Sequence, residues 1–260
     1  MTMAEIWIAR RITDVREHER GVTASAEAVL AVEAGALGGW LPGEPLAEQG
    51  IQALPNLPDL ALPADRRRVL TLLVEFPAPE VVRLLITDQA DTARDAGWLG
   101  IITDPQPDPV VARVEHGAAS TTVCGSGVEV HIGHDPLSVS VTSTTANRTV
   151  LRTAERLRQA TGLPMCPPVL LDDTGATLHL QLDGTEDITG FGEQFSRMVH
   201  NGKRLVLRCT DALGTATGYA YKPVPTWHSS AGYTALLNTG TTVTADVDHT
   251  RPSAMSLRVT

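Results

Sequence analysis

Two histidines bracket a dipeptide at His131-Ile132-Gly133-His134, a spacing that can steady nucleotide phosphates at a helix start or hold a metal ion. The residues before it, Val128 and Val130, alternate with polar neighbours as a strand does, and no lysine-rich partner loop follows. On a strand, positions this far apart point to opposite faces, so joint ligation would need a turn at Gly133. Neither a nucleotide nor a metal is assigned to the pair. Cleavage of a glycosidic bond with retention needs two carboxyl groups about 5–5.5 Å apart, one a nucleophile and one an acid. Asp172, Asp173, Asp183, Glu186, Asp187, Glu193 and Asp211 supply the residue type, but all fall in expected turns or at strand ends, where water solvates them. No serine lies in a Gly-x-Ser-x-Gly elbow, and no phosphate-cradling glycine loop is present. No catalytic residue, cofactor or metal is therefore expected.

The elements that must position these groups read as strands. Leu70, Leu72, Val74 and Phe76 share one face of a period-two run, and Val82, Leu84 and Ile86 share another. Val128, Val130 and Ile132, then Leu137, Val139 and Val141, then Leu178, Leu180 and Leu182 repeat the pattern. Asp172-Asp173-Thr174-Gly175 has hairpin-turn chemistry, and the last runs are Leu205, Leu207 and Cys209, Tyr233 to Asn238, and Met255, Leu257 and Val259. Many short alternating runs predict an all-β fold, an antiparallel β-sandwich or barrel. One or two short helices are also expected. Ala24 to Ala36 is rich in Ala and Glu, and Val150 to Ala160 places Leu151, Ala154 and Leu157 at helical spacing, as a short helix or a strained hairpin. Leu41 to Pro63 reads as an irregular loop from its Pro and Gly content, and no internal repeat is visible.

Composition narrows the class. At 260 residues and 27.7 kDa, one sandwich domain spanning 1–260 is the economical reading. A net charge of −9 argues against nucleic acid as a partner, since phosphate binding needs clustered positive charge. No stretch approaches the roughly 18 apolar residues of a membrane span, and the opening residues break into charge too early for a secretory signal, so a cytoplasmic protein is expected. In that compartment Asn147-Arg148-Thr149 is a chance sequon. Cys124, Cys166 and Cys209 are odd in number and far apart, which predicts inert, part-buried thiols rather than disulfides or a zinc knuckle.

Toward the C-terminus an ordered string of motifs appears: Leu180-Gln181-Leu182, an acidic turn, then Gly190-Phe191-Gly192-Glu193-Gln194-Phe195, a strand from Lys203 to Thr210, Asp211, and Tyr219-Ala220-Tyr221-Lys222-Pro223-Val224-Pro225. From Leu178 to Thr260 this resembles the closing part of the N-terminal β-sandwich of family 31 glycoside hydrolases, the α-glucosidase and α-xylosidase group. The resemblance implies a galactose mutarotase-like supersandwich that packs on a catalytic barrel, supplied in cis or in trans. It makes Gly190, Gly192, Glu193 and Phe195 a structural motif, with Glu193 accepting hydrogen bonds from a tight turn. Asp211 falls where relatives carry a sugar-binding aspartate, and Tyr221 and Trp227 are sugar platforms or packing residues. Thr189, Gln194, Thr226, Ala231 and Thr234 depart from the family pattern. The barrel-strand motif bearing the family nucleophile is absent, and a barrel needs about 250 residues of its own. The implied function is that of a non-catalytic domain with carbohydrate as its ligand class. A stand-alone carbohydrate-binding module and an aldose mutarotase-like enzyme are the alternatives.

Overall fold

The computed structural model describes residues 7–30, 67–88, 110–154, 167–215 and 217–260. Its first strands are long antiparallel runs: β1 Trp7–His18, β2 Gly21–Leu30, β3 Arg67–Ala78 and β4 Val81–Thr87. A five-stranded sheet follows in chain order, from β5 Arg113–His116, β6 Ser120–Cys124, β7 Val128–Gly133 and β8 Ser138–Ser143 to β9 Arg148–Arg152. The chain then returns to the first sheet with β10 Val169–Asp172 and β11 Gly175–Gln181. Next come β12 Ile188–Gly192, β13 Lys203–Leu207, β14 Pro223–Ser229, β15 Tyr233–Leu236, β16 Val243–Val247 and β17 Ala254–Val259. The broad sheet has nine strands in the order β13-β16-β17-β11-β10-β1-β2-β3-β4, while β12-β14-β15 form a third, small sheet.

Burial follows the alternation read from the sequence. Leu70, Leu72, Val74 and Phe76 are fully buried, as are Val130 and Ile132 of the five-stranded sheet, and they meet in one hydrophobic cluster. A second cluster joins Leu180, Leu205, Leu207, Met255 and Leu257 of the broad sheet to Ile188, Phe191 and Trp227 of the small sheet. One long sheet thus supports two smaller ones, each over its own core, as face-to-face sheets require. β4 departs from it: Val82 and Ile86 pack on the first core, but Leu84 is exposed at the sheet's edge.

The expected helices are corrected wherever the structure describes them. Ala24 pairs with Leu72 and Ala26 with Leu70, so this alanine-rich run is the second strand of the broad sheet. Val22, Ala24, Ala26 and Ala28 all face the core, and cross-strand pairing on both sides overrides a local helix preference of a few tenths of a kcal/mol per residue. Val150 to Arg152 lies in β9, with Leu151 opposite Val141, and Thr153 bridges Leu180 of the broad sheet. Among the described residues there is no helix. The remainders of both expected helices, the loop from Leu41 to Pro63 and Cys166 lie outside the described residues.

The Asp172–Gly175 turn is built as its composition predicts, with Asp172 Oδ1 accepting the Thr174 N–H at 2.8 Å. Arg258 pairs with Asp172 at 2.8 Å. Burial pushes the Asp172 carboxyl up, but the Thr174 hydrogen bonds and the Arg258 guanidinium together hold it below the usual carboxylate value. Cys124 is buried, and burial raises its thiol; Cys209 is exposed, which corrects the part-buried expectation there because it follows the end of an edge strand. The His131 and His134 rings go to different threonines: His131 to Thr122 at 3.1 Å and His134 to Thr121 at 2.9 Å. Among the described residues no group of His, Cys, Asp and Glu is placed to hold a metal ion. No helix among them is long and apolar enough to cross a membrane.

Candidate functional site

The glycine-flanked motif sits at the end of β12 in an unusual backbone. Gly190, Phe191 and Gly192 all have positive φ, at 107°, 61° and 74°. For phenylalanine this region is strained and persists only where surroundings enforce it. Here the reason is packing: the local bulge turns Phe191 into the second core, where its ring stacks on Trp227 at 6.0 Å and meets the His200 edge at 5.7 Å. A Cβ on Gly192 would stand 2.4 Å from the Lys222 carbonyl oxygen and from the Val224 nitrogen. Gly192→Ala should therefore combine a left-handed penalty with a backbone clash and cost at least ~2 kcal/mol in urea unfolding. A wild-type midpoint in that variant would show that the bulge is not required.

Two residues named with the motif lie outside its core. Phe195 is 39% exposed, and Glu193 is exposed, contributing its backbone N–H to the Lys222 carbonyl at 3.0 Å. The buried carboxylate that serves a turn is instead Glu186, which sequence reading grouped with the solvated acids. Its Oε1 accepts the Ser229 hydroxyl at 2.5 Å, and its Oε2 accepts the Asp183 N–H at 3.0 Å. The Glu186 N–H returns a bond to the Asp183 carbonyl at 2.9 Å. A glutamate side chain reaching back three residues to a backbone N–H is one half of a capping box, present here without a helix. Ser229 Oγ also accepts the Ala231 N–H at 2.9 Å, tying the β14–β15 turn to the same carboxylate.

Trp227 lies in this core, 3% exposed, and its indole N–H points to the Tyr233 hydroxyl at 3.4 Å. One ring face is taken by Phe191, so it is a packing residue in this structure, without an open face for a sugar. Burial, with the nearby Glu186 charge, pushes the Tyr233 hydroxyl up to about 12, so it stays protonated. Burial likewise lowers His200, whose Nε2–H donates to the Gly190 carbonyl at 3.1 Å.

Asp211 and Tyr221 share a loop that leaves β13 and returns at β14. It is closed on itself: the Tyr221 hydroxyl donates to the Ala212 carbonyl at 2.7 Å, and the Thr210 N–H donates to the Ala220 carbonyl at 3.2 Å. The Cys209 thiol donates to the Tyr221 carbonyl at 2.9 Å. Asp211 faces solvent, Tyr221 is 42% exposed, and Leu213 near the tip is 93% exposed. Register fixes the loop's root: Leu207 pairs with Val243, which pairs with Val259, so the loop emerges from the sheet end where β17 finishes.

A family model described as the glycosyl hydrolase 31 N-terminal galactose mutarotase-like domain matches residues 71–246. Among solved structures, a family 31 dextranase from Flavobacterium johnsoniae in complex with isomaltotriose superposes with a TM-score of 0.70 at 11% identity, covering 97% of this chain and 25% of that one. A cycloalternan-forming enzyme from Listeria monocytogenes, solved with a pentasaccharide substrate, gives 0.67 at 14% identity, covering 98% and 20%. A family 31 α-xylosidase from a soil metagenome, complexed with xylose, gives 0.57 at 14% identity over 73% and 28%. At these identities the likeness is one of fold, and the chain spans about a fifth to a quarter of the first two enzymes. No curated protein matches.

Proposed function

Because this chain belongs to the glycosyl hydrolase 31 N-terminal galactose mutarotase-like domain family, we propose that it is a non-catalytic sandwich that packs on a catalytic barrel, in cis or in trans, and shapes the rim of its sugar pocket. The observation that carries this reading is the self-closed loop from Cys209 to Tyr221. A loop whose two ends are braced by its own hydrogen bonds, and which exposes Leu213 and Tyr219, is partly preorganised for contact, so less ordering entropy is lost on binding. Val224, 44% exposed at the start of β14, extends this apolar surface beyond the loop. A segment following β17 would leave from the same end of the sheet, which suits a barrel joined in cis. Asp211 and Tyr221 are the residues on this loop proposed to reach a sugar, in an α-glucosidase or α-xylosidase-like context of cytoplasmic carbohydrate metabolism.

Hydrolysis by this chain alone is not expected, since the motif that carries the family nucleophile has no counterpart in the sequence. Purified protein offered aryl α-glucosides and α-xylosides should give no turnover above the buffer rate; reproducible hydrolysis lost on gel-filtration removal of the protein would overturn this. Docking has its own readout. The only lysines are Lys203 and Lys222, and Lys222 adjoins the loop. Mixing with an isolated family 31 catalytic barrel should slow amine labelling at Lys222 relative to Lys203, and unchanged labelling of Lys222 in a formed complex would count against docking through this loop.

The exposed pair Tyr219 and Tyr221 leaves one rival, a stand-alone carbohydrate-binding module, because rings open to solvent can stack on sugars. Calorimetry with gluco- and xylo-oligosaccharides separates the two: heat in the isolated chain, lost in Tyr219→Ala and Tyr221→Ala, would favour the module.

A further inference from the structure

Asn201-Gly202 is the only Asn-Gly pair in the chain. Such a pair is chemically labile in an unstructured peptide, because glycine leaves the following amide nitrogen unhindered. The Gly202 nitrogen attacks the Asn201 side-chain carbon and gives up its proton, a new N–C bond closes a five-membered imide, the bond to Nδ2 breaks, and the amide NH2 takes up that proton, through solvent, and leaves as ammonia. Water then opens the imide to aspartate or isoaspartate, adding one negative charge.

In the folded protein each reacting group is already engaged. Asn201 Oδ1 accepts the Ile188 N–H at 2.9 Å, and Nδ2 donates to the Glu186 carbonyl at 2.8 Å, so the side chain bridges both ends of the turn that opens β12. The attacking nitrogen is held away as well, because the Gly202 N–H donates to the Val247 carbonyl at 2.8 Å. Arg197 caps the Asn201 carbonyl. Gly202 has φ of 76°, so the position favours glycine and retains the labile sequence.

We propose that Asn201 is a latent modification site, a deamidation site that the folded β12 corner holds closed and whose conversion unseats the strand carrying Gly190-Phe191-Gly192. An aspartate at 201 has no Nδ2 donor, so the Glu186 carbonyl loses its partner and faces a second acceptor. The isoaspartate product also lengthens the backbone by one carbon at the residue beside the Gly202–Val247 bond. This chemistry is independent of the sugar-related reading above and survives its failure.

Peptide mapping with isoaspartate detection, after incubation at mildly alkaline pH, tests the site. In denaturing urea Asn201 should convert faster than Asn147, which precedes an arginine. In buffer Asn201 should convert at least about 10-fold more slowly than in urea, the protection expected of a structured corner. Ser229→Ala, which removes a partner of Glu186, should speed conversion in the folded state, and sub-denaturing urea on the wild type gives the same readout without a variant. Equal rates in buffer and urea, or Asn147 outrunning Asn201 in urea, would overturn the assignment. Asn201→Asp should melt several degrees below the wild type, and an unchanged melting midpoint would refute the unseating.

Discussion

Trp227→Ala should destabilise the protein by about 3–5 kcal/mol, while Tyr221→Ala should cost about 1 kcal/mol. The two residues stand six positions apart on neighbouring segments, and both are aromatic, yet their surroundings differ completely. Trp227 fills the second core between the broad and small sheets, stacked on Phe191, so truncation removes a large buried surface and leaves a cavity that rigid strands cannot close. Tyr221 is 42% exposed and loses mainly its hydrogen bond to the Ala212 carbonyl. Equilibrium urea unfolding, followed by tryptophan-independent circular dichroism, reads both. If sugar affinity or barrel docking falls in Tyr221→Ala while stability holds, the loop is the working surface and Trp227 its support. Equal losses of stability would mean that the loop is part of the core after all.

The second large effect is a loss of stability in mild acid. His179 lies on β11 and is 1% exposed, with Nδ1 against the Ser256 hydroxyl at 2.7 Å. Burial, aided by the nearby Arg251 charge, lowers its pKa from 6.5 to about 3. The folded state therefore holds a neutral imidazole where the unfolded chain would take up a proton. Its contribution to stability is complete above about pH 6.5 and declines as pH falls toward about 3, reaching a loss on the order of 4 kcal/mol. His200, also lowered by burial, adds in the same direction. Asp172 acts in a lower window, because its folded pKa lies below the ordinary carboxylate value and its contribution fades only as pH falls through that range. Melting temperature measured from pH 7.5 to 4.5 should fall steadily, and His179→Gln should flatten the larger part of that slope while starting from a less stable protein. A slope that survives the substitution unchanged would assign the acid sensitivity elsewhere.

How far the molecule is legible in its sequence depends on the range of the forces involved. Alternation at Leu70, Leu72, Val74 and Phe76 is a local signal with a single solution, a strand with one buried face, and it was readable without coordinates. Ala24 to Ala36 is ambiguous locally because alanine is small enough to satisfy either a helix or the inner face of a crowded sheet, and over the described part, Ala24 to Leu30, only the neighbouring strands choose between them. The Gly190-Phe191-Gly192 motif announced a special backbone, but not that Phe191 itself would adopt positive φ to reach Trp227 and His200. Glu186 was indistinguishable by composition from the solvated acids beside it; its burial depends on Ser229, which lies 43 positions away.

Residue type and spacing by themselves determined that this chain is an antiparallel all-β domain of a recognisable family, without that family's nucleophile motif, because these properties are carried by neighbours along the chain. Tertiary structure alone decided that one nine-stranded sheet serves two cores, that Trp227 is enclosed while Asp211 and Tyr221 share a solvent-exposed loop, and that His179 and Glu186 leave water. Burial is a property of what distant segments bring to a position, and a side chain's chemistry changes with its solvent.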